Sequence, residues 1–186
     1  MVSRRVRVVA GGWAAYVGAI ALANWLIAHG CPGATATAFH TYTLPVGFGL
    51  VAPAGTYAAA LTFPARDVVQ RAGGRLVGVV AIAAGAAMSW WLSSPSVALA
   101  SGATFLVAES LDFAVFSPMQ RRWFALAVLV SGLFGLTANA ALFLYLAHLP
   151  LSEFDGLTLG QAWVMGPAFL AAVGLRRAVP TASLAS

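Results

Sequence analysis

From Leu76 to Ala108 the chain carries no charged side chain, and this stretch limits the possible folds more than any motif does. A soluble globule must cover its surface with polar groups, and so long an uncharged stretch supplies almost none. The rest of the chain agrees: 61% of its 186 residues are hydrophobic and 8% are charged, with a mean hydropathy of +0.88. Lipid is therefore the expected solvent. Backbone N–H and C=O groups find no water inside a bilayer, so each crossing must satisfy them within itself or in a closed barrel. The segments lack the alternation of a membrane barrel. The expected fold class is an all-α membrane protein.

Apolar stretches predict six transmembrane helices near residues 7–28, 44–64, 76–93, 97–117, 123–147 and 159–176, in one domain over 1–180 with a tail at 181–186. The first stretch continues through Trp25 to about Ala28, long enough to cross ~30 Å of hydrocarbon, so it is expected to be retained rather than cleaved as a signal peptide. The second carries Pro45, Gly47, Gly49, Pro53 and Gly55, and a kink or break is expected near Pro53. In the third, Ala81, Gly85 and Ser89 recur every fourth residue, a seam where another helix can approach closely. Arginine falls before helix one, between two and three, between four and five, and after six. All ten basic residues are thus expected on one side, which the positive-inside rule makes cytoplasmic: both ends inside, in a multi-pass cytoplasmic (inner) membrane protein. Trp13, Trp25, Trp90, Trp91, Trp123 and Trp163 fall mostly near helix ends, as interfacial anchors do.

The net charge of +5 does not point to nucleic acid, because the arginines lie in small groups between apolar segments rather than along one polar face. Cys31 is alone, and His29, His40 and His148 are too scattered for metal-ligand spacing, so no disulfide, metal or cofactor is expected. No Gly-x-Ser-x-Gly or His-Glu-x-x-His motif supplies a nucleophile or ligand set, and an enzyme is not expected. With no Lys in the chain, no P-loop exists, so ATP would act only through a partner chain. The expected partners are the bilayer and a small solute; an ATPase partner or a homo-oligomer stays open.

Glu109 and Asp112 stand inside the fourth apolar stretch, where a carboxylate costs roughly 3 kcal/mol or more on insertion scales. At ~100° per residue, Phe105, Glu109, Asp112 and Phe116 share one narrow face, which must look into the bundle. A carboxylate accepts two parallel hydrogen bonds from an N–H pair and Phe rings stack on flat solutes, so a guanine-like ring suits the stripe. Two alternatives stay open. The acids can pair with Arg66, Arg75 or Asn139 to hold helices together, or share a proton and carry it. Asn24 and Asn139 are further amides in apolar runs, able to contact a solute or a neighbouring helix.

Two stretches carry a resemblance: Pro53-Ala-Gly-Thr-Tyr-Ala-Ala-Ala-Leu-Thr-Phe-Pro-Ala-Arg-Asp-Val-Val-Gln-Arg-Ala-Gly-Gly-Arg75 and Ala108-Glu-Ser-Leu-Asp-Phe-Ala-Val-Phe116. Both resemble the VUT or YhhQ family of queuosine precursor transporters, six-helix proteins similar to the substrate-binding (S) components of energy-coupling-factor importers. The resemblance runs from about Ala23 to about Leu146. It implies an S-component-like bundle that takes up a 7-deazaguanine base such as preQ0, preQ1 or queuine. It places Glu109 and Asp112 at the family's polar positions in helix four, and Arg66, Asp67, Gln70, Arg75 and Arg121 in its cytoplasmic loops, as gating or loop-fixing groups. Many relatives carry an acid where this chain has Asn139. The alternatives are an S-component for another vitamin-like solute that needs an ATP-driven partner, and a non-transporting membrane assembly protein.

Overall fold

The computed structural model describes residues 3–36, 42–93, 95 and 98–182; His40 and tail residues 183–186 lie outside them. The first helix, α1, runs Arg4–His29, with the Ser3 hydroxyl accepting a hydrogen bond from the Val6 N–H at 3.3 Å. It ends at Gly30, whose φ of 72° is costly for other residues. Three short strands follow: β1 (Thr35–Ala36), β2 (Tyr42–Gly47) and β3 (Leu50–Pro53), an antiparallel sheet in that order. Then come α2 (Thr56–Ala60), α3 (Thr62–Gly73), α4 (Arg75–Leu92), α5 (Ala98–Met119) and α6 (Phe124–Leu146). A 3-10 turn at Leu151–Glu153 leads into α7 (Phe154–Leu175).

The chain is mostly helical, and among the described residues five helical segments are long and apolar enough to cross a membrane: α1, α4, α5, α6, and the turn with α7. These match the predicted spans within a few residues, except that α7 begins at Phe154 rather than 159. It is a multi-pass membrane protein. Its exposed face is apolar, with Trp91, Leu76, Leu99, Leu170 and Tyr145 turned outward.

The expected helix over 44–64 is overturned. Residues 42–53 form the β2–β3 hairpin, and helix begins only at Thr56. Apolar content predicts burial rather than shape, and here Pro45, Gly47, Gly49 and Pro53 disfavour a helix. Gly47, Phe48 and Gly49 all take positive φ (105°, 52° and 76°), making a tight reversal with a bulge between Pro45 and Gly47. The hairpin lies against α7, where Trp163 Nε1 donates to the Val46 carbonyl at 3.0 Å. Gly156 leaves room for the Val51 carbonyl, and Gly160 for Val46 and Thr56 side chains.

The helix break also moves, from Pro53 to Leu61, where α2 gives way to α3. Pro64 has no N–H to give the Ala60 carbonyl four residues back, and its ring crowds that carbonyl. The third correction concerns charge. Arg66 is not in a loop at the arginine side: it is fully buried inside α3, beside Glu109 near the midpoint of α5. The other nine arginines gather at one end. Arg4 donates to the Arg177 carbonyl, Arg5 to the Ala72 carbonyl, and Arg71 to the Gln120 and Val179 carbonyls.

Close helix contacts depend on small residues. Gly85 on the predicted α4 seam abuts the Tyr16 hydroxyl and the Phe105 ring, and Tyr16 donates to the Ala81 carbonyl at 3.1 Å. Gly135 on α6 abuts Phe63 and Asp112. Lipid tails are as apolar as leucine, so such contacts stabilise by dispersion and hydrogen bonding rather than by leaving water.

Candidate functional site

Two polar regions occupy the interior, one above the other. The lower is a cluster of charge. Arg66 Nε lies 2.9 Å from Glu109 Oε2, its Nη1 lies 3.1 Å from Asp67 Oδ1, and its Nη2 pairs with Asp112 Oδ2. All four side chains are at most 1% exposed. Arg66 Nη1 also donates to Gln70 Oε1 at 2.6 Å, and Gln70 Nε2 donates to Ser117 Oγ at 2.8 Å. The guanidinium stands over the Phe113 and Phe116 rings, 5.8 Å from each centroid. A planar, permanently charged group with a fork of donors is the side chain able to face three carboxyls at once. Both Asp67 oxygens, Glu109 Oε1 and Asp112 Oδ1 have no hydrogen-bond partner among the described residues. One guanidinium thus faces more acceptor oxygens than it can satisfy.

The upper region is a partly open cavity of about 80 Å³ lined by residues of α1 to α7. It is half open rather than sealed, and its volume lies below the ~300–1,000 Å³ of common ligand pockets, so a base-sized guest would also occupy its open side. Asn24, Thr56, Phe105, Asn139 and Gln161 line it, with Ser89 and Ser101 at the wall and apolar Ile20, Ala23 and Leu157 between them. Pro53 and Gly55, at the end of the hairpin, form part of its boundary. Thr56 and Gln161 are 2% and 1% exposed, and neither Thr56 Oγ1 nor Gln161 Oε1 has a hydrogen-bond partner among the described residues. A buried, unpaired polar atom costs about 1–3 kcal/mol, so two of them against one cavity need an explanation such as a polar guest.

Thr62 joins the two regions. It lines the cavity, donates to the Ala59 carbonyl at 2.8 Å, and neighbours the Glu109 carboxyl.

The structure divides the sequence-predicted site residues between these regions. Phe105, Asn24 and Asn139 line the cavity. Phe105 packs edge-to-face with Tyr16 at 6.1 Å. Asn24 is largely engaged: its Nδ2 donates to the Ile20 carbonyl at 2.9 Å, and its Oδ1 accepts from Ser93 Oγ at 2.8 Å. The stripe of Phe105, Glu109, Asp112 and Phe116 faces the bundle interior, yet it is spread over three environments. Glu109 and Asp112 contact Arg66 and do not line the cavity. Phe116 packs against Phe124 and Val128 in the core towards the arginine end. The family-like segment also disperses. Asp67 and Gln70 belong with Arg66 in the cluster, Arg75 stands over the Phe113 ring at 5.8 Å, and Arg121 is exposed in the turn before α6.

Gln161 and Thr56 are the additions. Gln161 carried the same signal as Asn24 and Asn139, an amide in an apolar run, and was readable in principle. Thr56 was not, because threonine is common in membrane helices and only the hairpin brings it against Gly160. Comparison with known proteins finds no matching family model, curated protein or solved structure.

Proposed function

We propose that this protein is a membrane transporter that takes up a small, flat, hydrogen-bonding solute, held in the cavity between Asn139, Gln161, Thr56 and the Phe105 ring. The observation that carries this reading is the pair of unpartnered polar atoms, Thr56 Oγ1 and Gln161 Oε1, buried against that cavity. An amide oxygen accepts from ring N–H or exocyclic amine groups, amide nitrogens donate to a ring carbonyl, and Phe105 supplies a face. A 7-deazaguanine base of the queuosine-precursor class has all three features and agrees with the sequence resemblance. In this reading α2 and α3 together make a sixth crossing. Both termini are then cytoplasmic in the inner membrane, an S-component-like arrangement.

The proposal shifts the role of the acids. Glu109 and Asp112 act below the solute, with Thr62 as the link. The surplus of carboxyls over guanidinium makes the cluster a place for sharing protons between coupled groups rather than a hydrogen-bonding partner for the base.

Three measurements test this. Thermal stabilisation of the purified protein by a panel of purine and 7-deazapurine bases is expected for the deazaguanines; no shift at millimolar ligand would remove the substrate assignment. In a host unable to make the precursor, expression is expected to restore queuosine in tRNA from external base, and Glu109→Gln to impair that restoration. Reconstituted vesicles containing this chain alone separate self-sufficient uptake from uptake that needs an ATP-driven partner.

A further inference from the structure

A second hollow, of about 400 Å³, opens on the outer face of the bundle between α1, α3, α6 and α7. Its lining is wholly apolar, from Ala15 and Val68 on one wall to Phe124, Val164, Ala168 and Leu175 on the other. It has a definite length and a definite end. Along α7 it runs from Val164 to Leu175, about 16 Å at ~1.5 Å per residue. That length matches one leaflet of hydrocarbon, about 15 Å of a ~30 Å core. A partner's transmembrane helix would need a groove through both leaflets.

The end of the groove nearest Phe124 and Leu175 is basic. Arg71 stands over the Phe124 ring at 4.2 Å, and Arg4 Nη2 donates to the Arg177 carbonyl at 3.3 Å. Arg176 and Arg177 follow directly on Leu175, while Arg121 and Arg122 precede Phe124, and all four are exposed. No carboxylate side chain is available to them. Of the five acids in the chain, Asp67, Glu109 and Asp112 surround Arg66, and Glu153 and Asp155 lie at the opposite end, where α7 begins. Two arginine pairs therefore flank the end of a leaflet-deep apolar groove with no carboxylate side chain among the described residues beside them.

We infer that this groove holds one anionic phospholipid. An acyl chain lies between α1–α3 and α6–α7, and the headgroup phosphate is bound by Arg176, Arg177 and Arg122. Guanidinium forks match phosphate oxygens bidentately, and basic pockets between membrane helices select anionic headgroups. The inference does not depend on the transported solute.

Native mass spectrometry of the full-length protein, released from detergent with added phosphatidylglycerol or phosphatidylcholine, tests it. One phosphatidylglycerol is expected to stay bound preferentially, with phosphatidylcholine retained weakly. Arg176→Gln and Arg177→Gln should each lower that retention roughly fivefold, from ~1 kcal/mol per basic residue near the surface. Ala168→Trp, which fills the groove, should abolish it while the arginines remain. Equal retention of the two lipids by the wild type overturns the inference without any variant. So does a lipid-free dimer that Ala168→Trp dissociates, which would assign the groove to a second copy of this chain.

Discussion

The charge cluster around Arg66 and the cavity around Gln161 are close neighbours inside the same bundle, yet they treat buried polarity in opposite ways. In the cluster a cation comes from the protein itself: three carboxyls converge on one guanidinium, which a glutamine and a serine extend towards the arginine end. In the cavity wall, the Thr56 hydroxyl and the Gln161 amide oxygen are buried beside a hollow with no hydrogen-bond partner among the described residues. The difference separates structure from recruitment. Polar groups that share a cation from within tie helices together even where, as at Asp67 and Glu109, some oxygens stay unpaired among the described residues, whereas those unpaired beside a hollow suit a guest that brings its own donors.

The harshest way to break that contrast is Arg66→Met. If the cluster is structural, this leaves three buried carboxyls without their cation, and the expected loss is about 3–5 kcal/mol. It would be read as a collapse of folded yield or of the thermal midpoint in detergent. Adding Glu109→Gln and Asp112→Asn to Arg66→Met should recover much of that loss. A stable Arg66→Met protein that merely fails to bind base would reverse the assignment and put Arg66 in the binding site.

Gln161→Ala sharpens the other half. It removes an acceptor that the empty protein leaves unpaired, so the empty protein should be no less stable than wild type. Affinity for a deazaguanine should fall roughly 10- to 100-fold, the ~1.4–3 kcal/mol of one well-placed buried hydrogen bond. Isothermal titration beside a melting curve reads both numbers. Destabilisation without loss of affinity would make Gln161 a packing residue.

The smallest effect concerns the hairpin that bounds the cavity. Trp163→Phe removes the donor to the Val46 carbonyl, and a loss of about 1 kcal/mol is expected from that hydrogen bond. Because the hairpin positions Pro53 and, through Gly160, Thr56, a modest loss of base affinity should accompany the lowered melting point.

Some of this was legible beforehand, for identifiable reasons. The inward turn of the Phe105–Phe116 stripe followed from helical periodicity and the cost of a carboxylate in lipid. Gly85 and Ala81 were readable as a seam because only small side chains allow that approach. The place of Arg66 was hidden, since an arginine three residues after a phenylalanine looks alike in a loop or in a helix whose interior supplies three acids. Glu109 lies 43 residues away in sequence, and no local pattern pairs them.

Composition and periodicity alone determined the solvent, the predominance of helix, the approximate limits of five spans and the clustering of most arginines. These depend on transfer energies and on backbone geometry, which act residue by residue. Only the tertiary structure decided that residues 42–53 turn back as strands, that Arg66 leaves its fellow arginines for the interior, and that Gln161 and Thr56 meet at one hollow. Each of those outcomes depends on what a distant helix presents: Trp163 and two glycines for the hairpin, Glu109 and Asp112 for Arg66. Long-range complementarity of that kind is a property of the assembled bundle.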